Sequence, residues 1–251
     1  MLLYKMYVVL KRTKGADMFI KPKFEKFKSK KAFTLAEVLI TLGIIGVVAA
    51  LTIPNLVANH RAKELEIALK KSASIIQQAL NLANEEEGVT ITSTSIPSHS
   101  LKEKLKPYLN VLKDCGFGTE LGACVPNVGY EHLQEQKNIY RTYSKTRNID
   151  YYLLDDGQLL LTDGTLIMFE NSDPQYKAVF ISVDINGINK GPNAWGHDLF
   201  TFDLSEEGKL LPMGAPHTHY DICSKTSSNT RNGIGCTYKA MTDPNYFKQL
   251  P

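Results

Sequence analysis

From Val38 to Asn59 the chain runs for 22 residues without Asp, Glu, Lys, Arg or His. Leu, Ile, Val and Ala dominate this run, and a membrane-crossing helix needs roughly 20 mostly apolar residues. Gly43 and Gly46 lie inside it, small residues of the kind tolerated where membrane helices pack. Pro54 removes one helix hydrogen bond and crowds the preceding turn, which predicts a kink near residues 50–54. Helical period then resumes, with Leu65, Ala68, Leu69, Ala73, Ile76, Leu80 and Ala83 forming an apolar stripe at three- and four-residue steps. Glu66 and Lys70 make a favourable i,i+4 pair on the same helix. Gly88, after Glu85-Glu86-Glu87, predicts its end. Leu35 to Glu86 would reach about 78 Å as one helix at roughly 1.5 Å per residue. The other reading is two helices split at Pro54.

Residues 88–150 have weak periodicity, with a short helix expected from Leu101 to just before Pro107 and loop elsewhere. Strand patterns begin at Tyr151. Tyr151–Leu154, Gln158–Leu161 and Leu166–Glu170 are apolar or β-favouring runs separated by the turn pairs Asp156-Gly157 and Asp163-Gly164. Residues 178–185 form another run, and 199–204 and 209–211 add short ones. The pattern therefore predicts an α+β chain: a long N-terminal helix, membrane-spanning in its first half, packed on a small antiparallel sheet head.

Composition adds little until the charge is divided along the chain. With 43% hydrophobic and 22% charged residues among 251, wholesale disorder is excluded. The slightly negative mean hydropathy excludes a polytopic membrane protein. The net charge of +3 conceals an asymmetry. Residues 1–32 hold ten Lys/Arg and two acids, net +8, leaving 33–251 at net −5. Basic residues before the apolar run place the N-terminus in the cytoplasm and the head outside. The acidic body gives no electrostatic support to a nucleic-acid partner, although a local patch at 137–147 carries Lys and Arg. Glu37 is the only Asp, Glu, Lys or Arg between Lys31 and Arg61. An ionisable group at the edge of such a run is costly, so it reads as functional. A secretory signal carries its small cleavage-site residue after the apolar core; here the small residue, Ala32, stands before it.

Lys30-Lys31-Ala32-Phe33-Thr34-Leu35-Ala36-Glu37 followed by the apolar stretch resembles the class III signal of type IV pilins and type II secretion pseudopilins. The resemblance covers about residues 28–60; beyond them it is one of architecture, a pilin-like head on a long helix. It implies that a membrane prepilin peptidase cuts between Ala32 and Phe33 and methylates the new Phe33 amine. Ala32 stands where the family usually has Gly. The implied organisation is a removed leader (1–32), a transmembrane or filament-core helix (33–54), an amphipathic half-helix (55–87) and a globular head (88–251). Met18 is an alternative start that would shorten the leader to 15 residues. The resemblance also gives Glu37 a task, neutralising the Phe33 amine of an adjacent subunit and setting its stagger. The expected partners are the peptidase, further copies of this chain or related pilins, an inner-membrane assembly platform and membrane lipid.

The expected product is a structural subunit of a type IV pilus-like filament, inserted once in the inner membrane and extracellular or periplasmic after assembly. The alternatives are a type II secretion pseudopilin and, from another class, a membrane-anchored extracytoplasmic binding protein. An enzyme is not expected: there is no Gly-x-Ser-x-Gly nucleophile motif and no phosphate-binding Gly-x₄-Gly-Lys-Ser/Thr loop.

Export would place the four cysteines in an oxidising compartment. Their spacings lack the close Cys-x₂₋₄-Cys pairing of structural zinc sites, which favours disulfides. Neighbours in sequence pair as Cys115 with Cys124 and Cys223 with Cys236, with a crossed pattern as the alternative. The second pair resembles the disulfide-bounded loop of many type IV pilins. Residues 184–198 concentrate oxygen donors in a Gly-rich loop, with Asp184, Asn186, Asn193 and Asp198 as candidate calcium ligands. Position twelve from Asp184 is Trp195, so the loop is not an EF-hand. The composition fits two readings: a structural calcium cage of the kind major pseudopilins hold, or a turn-rich connection capped by its own side chains. No other cofactor is indicated. His217-Thr218-His219, near Asp221 and Cys223, reads as surface loop rather than a metal site, since no third ligand is assured.

Overall fold

A computed structural model describes residues 33–129, 136, 138–171, 175 and 177–251, together with the backbone of 6–7 and 23–24. Ala32, Lys137 and the leader apart from that backbone lie outside the described residues. The chain divides into two compact units, Met1–Pro54 and Asn55–Pro251.

Helix α1 runs from Leu35 to Glu87 through Pro54 as one element, so the reading of two separate helices does not hold. It stops where Gly88 takes a left-handed φ of +68°, which a residue without Cβ adopts at no steric cost. In its first part the apolar side chains face outward: Leu39, Ile44, Val47 and Leu51 are all exposed. That part is long and apolar enough to cross a membrane. Its threonines satisfy their hydroxyls locally, Thr41 Oγ1 on Val38 O at 2.9 Å and Thr52 Oγ1 on Val48 O at 2.9 Å. They therefore need no water within an apolar layer.

In the second unit the same helix changes character. Leu65, Leu69, Ile76, Leu80 and Ala83, all on the stripe read from the sequence, are buried, and Ala68 and Ala73 pack partly buried beside them. On the opposite face Glu66 joins Lys70 at 2.6 Å and Lys63 at 3.0 Å. The helix lies against a six-stranded antiparallel sheet in meander order: β1 (Val111–Asp114), β2 (Gln158–Leu161), β3 (Leu166–Glu170), β4 (Phe180–Asp184), β5 (Leu199–Leu204) and β6 (Leu210–Pro212). This is the α+β pilin-like layout. β1 and β6 are the two edges, and the pairing of β1 with β2 shifts register between Val111 and Lys113.

Both faces of the four central strands are covered, which is why β2 to β5 are buried on alternate and intervening positions alike. Ile167, Phe169, Ile181, Val183, Phe200 and Phe202 belong to the core shared with α1. Leu166, Met168, Phe180 and Leu199 belong to a second core with Tyr140, Leu154, Trp195, Met213 and Ile234. The side chains Ser182, Asp184, Thr201 and Asp203 share the parity of the second face and are buried there. Ser182 Oγ and Thr201 Oγ1 lie 2.8 Å apart, and Trp195 Nε1 donates to Thr201 Oγ1 at 3.2 Å.

Several elements differ from the sequence pattern. Residues Tyr151–Leu153 form a 3₁₀ turn rather than a strand. Leu154 N donates back to Tyr151 O at 3.1 Å, and Tyr151 Oη accepts from Tyr140 N at 2.9 Å, so the segment caps the sheet instead of joining it. β1 and the short helix α3 (Cys236–Thr242) were not expected. Helix α2 (Leu101–Leu105) is where the pattern put it.

Candidate functional site

The first candidate is the start of α1. Thr34 precedes the helix and Glu37 lies in its first turn. Glu37 Oε2 accepts from Thr34 N at 2.8 Å and from Thr34 Oγ1 at 2.9 Å, and Glu37 N donates to Thr34 Oγ1 at 3.2 Å. This is a capping box: each residue's side chain satisfies the other's backbone N–H. The spacing Thr-x-x-Glu was legible in the sequence, and reading Glu37 only as a charge passed over it. Glu37 Oε1 takes no hydrogen bond among the described residues. The carboxylate is thus oriented by one oxygen and open at the other. Phe33, the residue that cleavage would make the terminus, is 85% exposed one position before the cap. Ala32, the other half of the expected cleavage site, lies outside the described residues.

The cysteines come together as the neighbour pairs, Cys115 with Cys124 and Cys223 with Cys236. Cys236 is fully buried at the start of α3, and a Cβ on Gly196 would come within 2.9 Å of its Sγ.

The third candidate is the loop between β4 and β5, which brings Asp184, Asn186, Asn193 and Asp198 together. Asp184 Oδ1 accepts from Gly187 N at 2.8 Å, and its Oδ2 accepts from Tyr140 Oη at 2.6 Å. Asp198 accepts from Asn193 N at 2.8 Å and Ala194 N at 2.7 Å, while Asn186 Nδ2 reaches Asp198 Oδ2 at 3.4 Å. Gly187 has φ +81° and sits so close to Gly164 that a Cβ would meet its carbonyl oxygen at 2.4 Å. Both carboxylates are fully buried. Burial pushes Asp184 up to about 7, with Asp198 adding to the rise, and burial also raises Asp198. The Oδ1 atoms of Asn186 and Asn193 are buried with no hydrogen-bond partner. Hard oxygen donors with two orphaned acceptors suit a calcium ion. The backbone contacts equally show the side chains capping their own loop.

His219 Nδ1 lies 2.7 Å from Asp203 Oδ2, half-exposed at the surface as its loop reading implied. One grouping was not read from the sequence: Asp155, Asp156 and Glu170 are buried with oxygens within 4.8 Å of one another. Burial raises Asp155 to about 6, against a hydrogen bond from Asn127 Nδ2. Asp155 and Asp156 are neighbours in a loop, but Glu170 ends β3, so periodicity gives no sign of the cluster.

The family model of the prokaryotic N-terminal methylation motif matches residues 27–53. No curated protein and no solved structure gave a match. The match covers the cleavage position, Glu37 and the apolar run, and the helix and antiparallel head follow it in order. The chain thus carries the N-terminal methylation signal of type IV pilins and pseudopilins at residues 27–53, followed by an exposed apolar helix and a disulfide-bonded head in a pilin-like layout.

Proposed function

We propose that this subunit builds a type IV pilus-like filament after prepilin peptidase removes residues 1–32. The observation that carries this reading is the half-engaged Glu37 carboxylate, held by Thr34 beside the position of the new terminus. The cleaved amine is a cation, and an apolar filament core strongly disfavours a lone charge. A carboxylate with one bare oxygen, fixed in direction, is suited to receive it from a neighbouring subunit. The role is mechanical, with the exposed apolar half of α1 forming the core and the head the surface. Support for a pilus over a secretion pseudopilus comes from the loop closed by Cys223 and Cys236. Mass spectrometry of chains from native membrane and sheared filaments tests the reading. The expected terminus is Phe33 bearing one methyl; a chain that keeps its leader in the filament fraction overturns it.

A secretion pseudopilin is the second reading, favoured by the orphaned Asn186 and Asn193 oxygens in the β4–β5 loop. Asp184, Asn186, Asn193 and Asp198 would hold a calcium ion there, which would pin the loop and offset two buried negative charges. At a hundredfold excess over its Kd, such an ion stabilises the head by about 2.7 kcal/mol. Calcium is then expected to raise the melting temperature by several degrees and EDTA to reverse it. An unchanged melting curve in EDTA leaves the loop as a self-capped turn.

A further inference from the structure

A separate face of the head, around residues 141–152, has no part in the filament reading. It holds a cavity of about 560 Å³, within the range of small-molecule sites. Arg141 and Arg147 both line it. Their backbone is fixed: Arg141 N donates to Asn193 O at 2.8 Å, Trp195 N donates to Arg141 O at 3.0 Å, and Thr142 N donates to Arg147 O at 2.9 Å. Neither guanidinium has a carboxylate partner among the described residues. Asp150, on the same wall, is taken by Arg231 Nε at 3.1 Å, and Arg147 Nη1 reaches only Ser228 O at 3.5 Å. Asn148 also lines the cavity, and its buried Oδ1 accepts no hydrogen bond.

These features ask for different things. Two guanidiniums with no carboxylate partner among the described residues are planar forks that suit an oxyanion. An orphaned amide oxygen needs a donor, which a bare carboxylate ion does not supply. Apart from Asp150 and the aliphatic Ile149, the remaining wall is amide, hydroxyl and aromatic, including Asn138, Thr146 and Tyr152. The body's net charge of −5 opposes a long polyanion such as nucleic acid. One molecule type combines a single anionic group with many hydroxyl donors on a compact ring. We propose that the cavity binds an acidic saccharide, a uronic acid or a short oligomer of one. Its carboxylate lies on Arg141 and Arg147, and its hydroxyls reach Asn148 and Thr146.

The test is calorimetric titration of the full mature chain in a detergent without a sugar headgroup. The probes are digalacturonate, neutral galactobiose, inorganic phosphate and a single-stranded DNA oligomer. Digalacturonate is expected to saturate below about 10 mM, and galactobiose to bind at least about tenfold more weakly. Arg141→Gln and Arg147→Gln are each expected to weaken digalacturonate about tenfold with an unchanged melting temperature. Lys145→Gln, whose ammonium reaches Pro251 O instead of lining the cavity, is expected to bind like the unaltered chain. Equal binding of the acidic and neutral sugars overturns the proposal, as does no saturation by digalacturonate. Phosphate or DNA binding as tightly as digalacturonate also overturns it, assigning the arginines to a bare oxyanion. The comparison of sugars needs no variant, so it decides the matter even if an arginine substitution unfolds the head.

Discussion

Glu37→Ala is expected to leave leader removal and methylation intact and to cut filament yield about 10²- to 10³-fold. The estimate follows from leaving one charge unpaired in an apolar core, which costs about 3–5 kcal/mol. The same substitution also removes the capping box, worth only about 1 kcal/mol of helix stability. Glu37→Gln separates the two effects. Its amide oxygen still accepts from Thr34, but it carries no charge for a neighbouring amine. Sheared-filament yield, normalised to cleaved subunit in the membrane, is the measurement. Both variants should fail together if charge pairing drives assembly. Wild-type filament levels for the glutamine variant would reduce Glu37 to a helix cap.

The largest effect on stability is expected from the C-terminal disulfide. Cys223→Ala with Cys236→Ala opens a closure of separation 13, worth about 3 kcal/mol in the chain-entropy account. A folded unit of 150–250 residues loses about 2–4 °C of Tm per kcal/mol, so the fall should be about 6–12 °C. Packing adds to it, because Cys236 is fully buried in the core shared with α1 and starts α3. The Cys115–Cys124 bridge has a separation of 9, a similar entropy by the same logarithm. It borders Leu121, a fully exposed position, so opening it loosens less of the core. Differential scanning calorimetry of the two double variants should rank the C-terminal pair as the more damaging. The reverse order would mean that packing around the buried Cys115, not loop closure or anchoring of α3, sets the cost.

The long helix and most of the sheet were legible because their patterns are strong and local. An uncharged run followed by a three- and four-residue stripe leaves little choice but helix, and Asp163-Gly164 marks the β2–β3 hairpin. β1 was not legible: Lys113 and Asp114 break its apolar pattern, and only pairing with β2 makes it a strand. Tyr151–Leu154 misleads in the opposite direction. Its aromatic and leucine residues favour strands, but contacts with Tyr140 turn it over the sheet. At the helix start, the residue types and spacing were enough to find Glu37; the open Oε1 emerges only from the hydrogen bonds. The cavity of Arg141 and Arg147 needed the fold, since only the fold shows that Asp150 on the same wall is taken by Arg231 and that neither arginine has a carboxylate partner among the described residues.

The two sheet edges bear on how this subunit can associate. An exposed strand edge invites any neighbouring strand to add to it, a hazard that grows with crowding. β6 ends in Pro212, which offers no N–H, and β1 is short, charged and shifted in register. Both sides of the sheet are therefore poor templates for runaway cross-strand growth. In the proposed filament, heads could therefore stack at the density of a polymer while order comes from one direction only, the apolar half of α1.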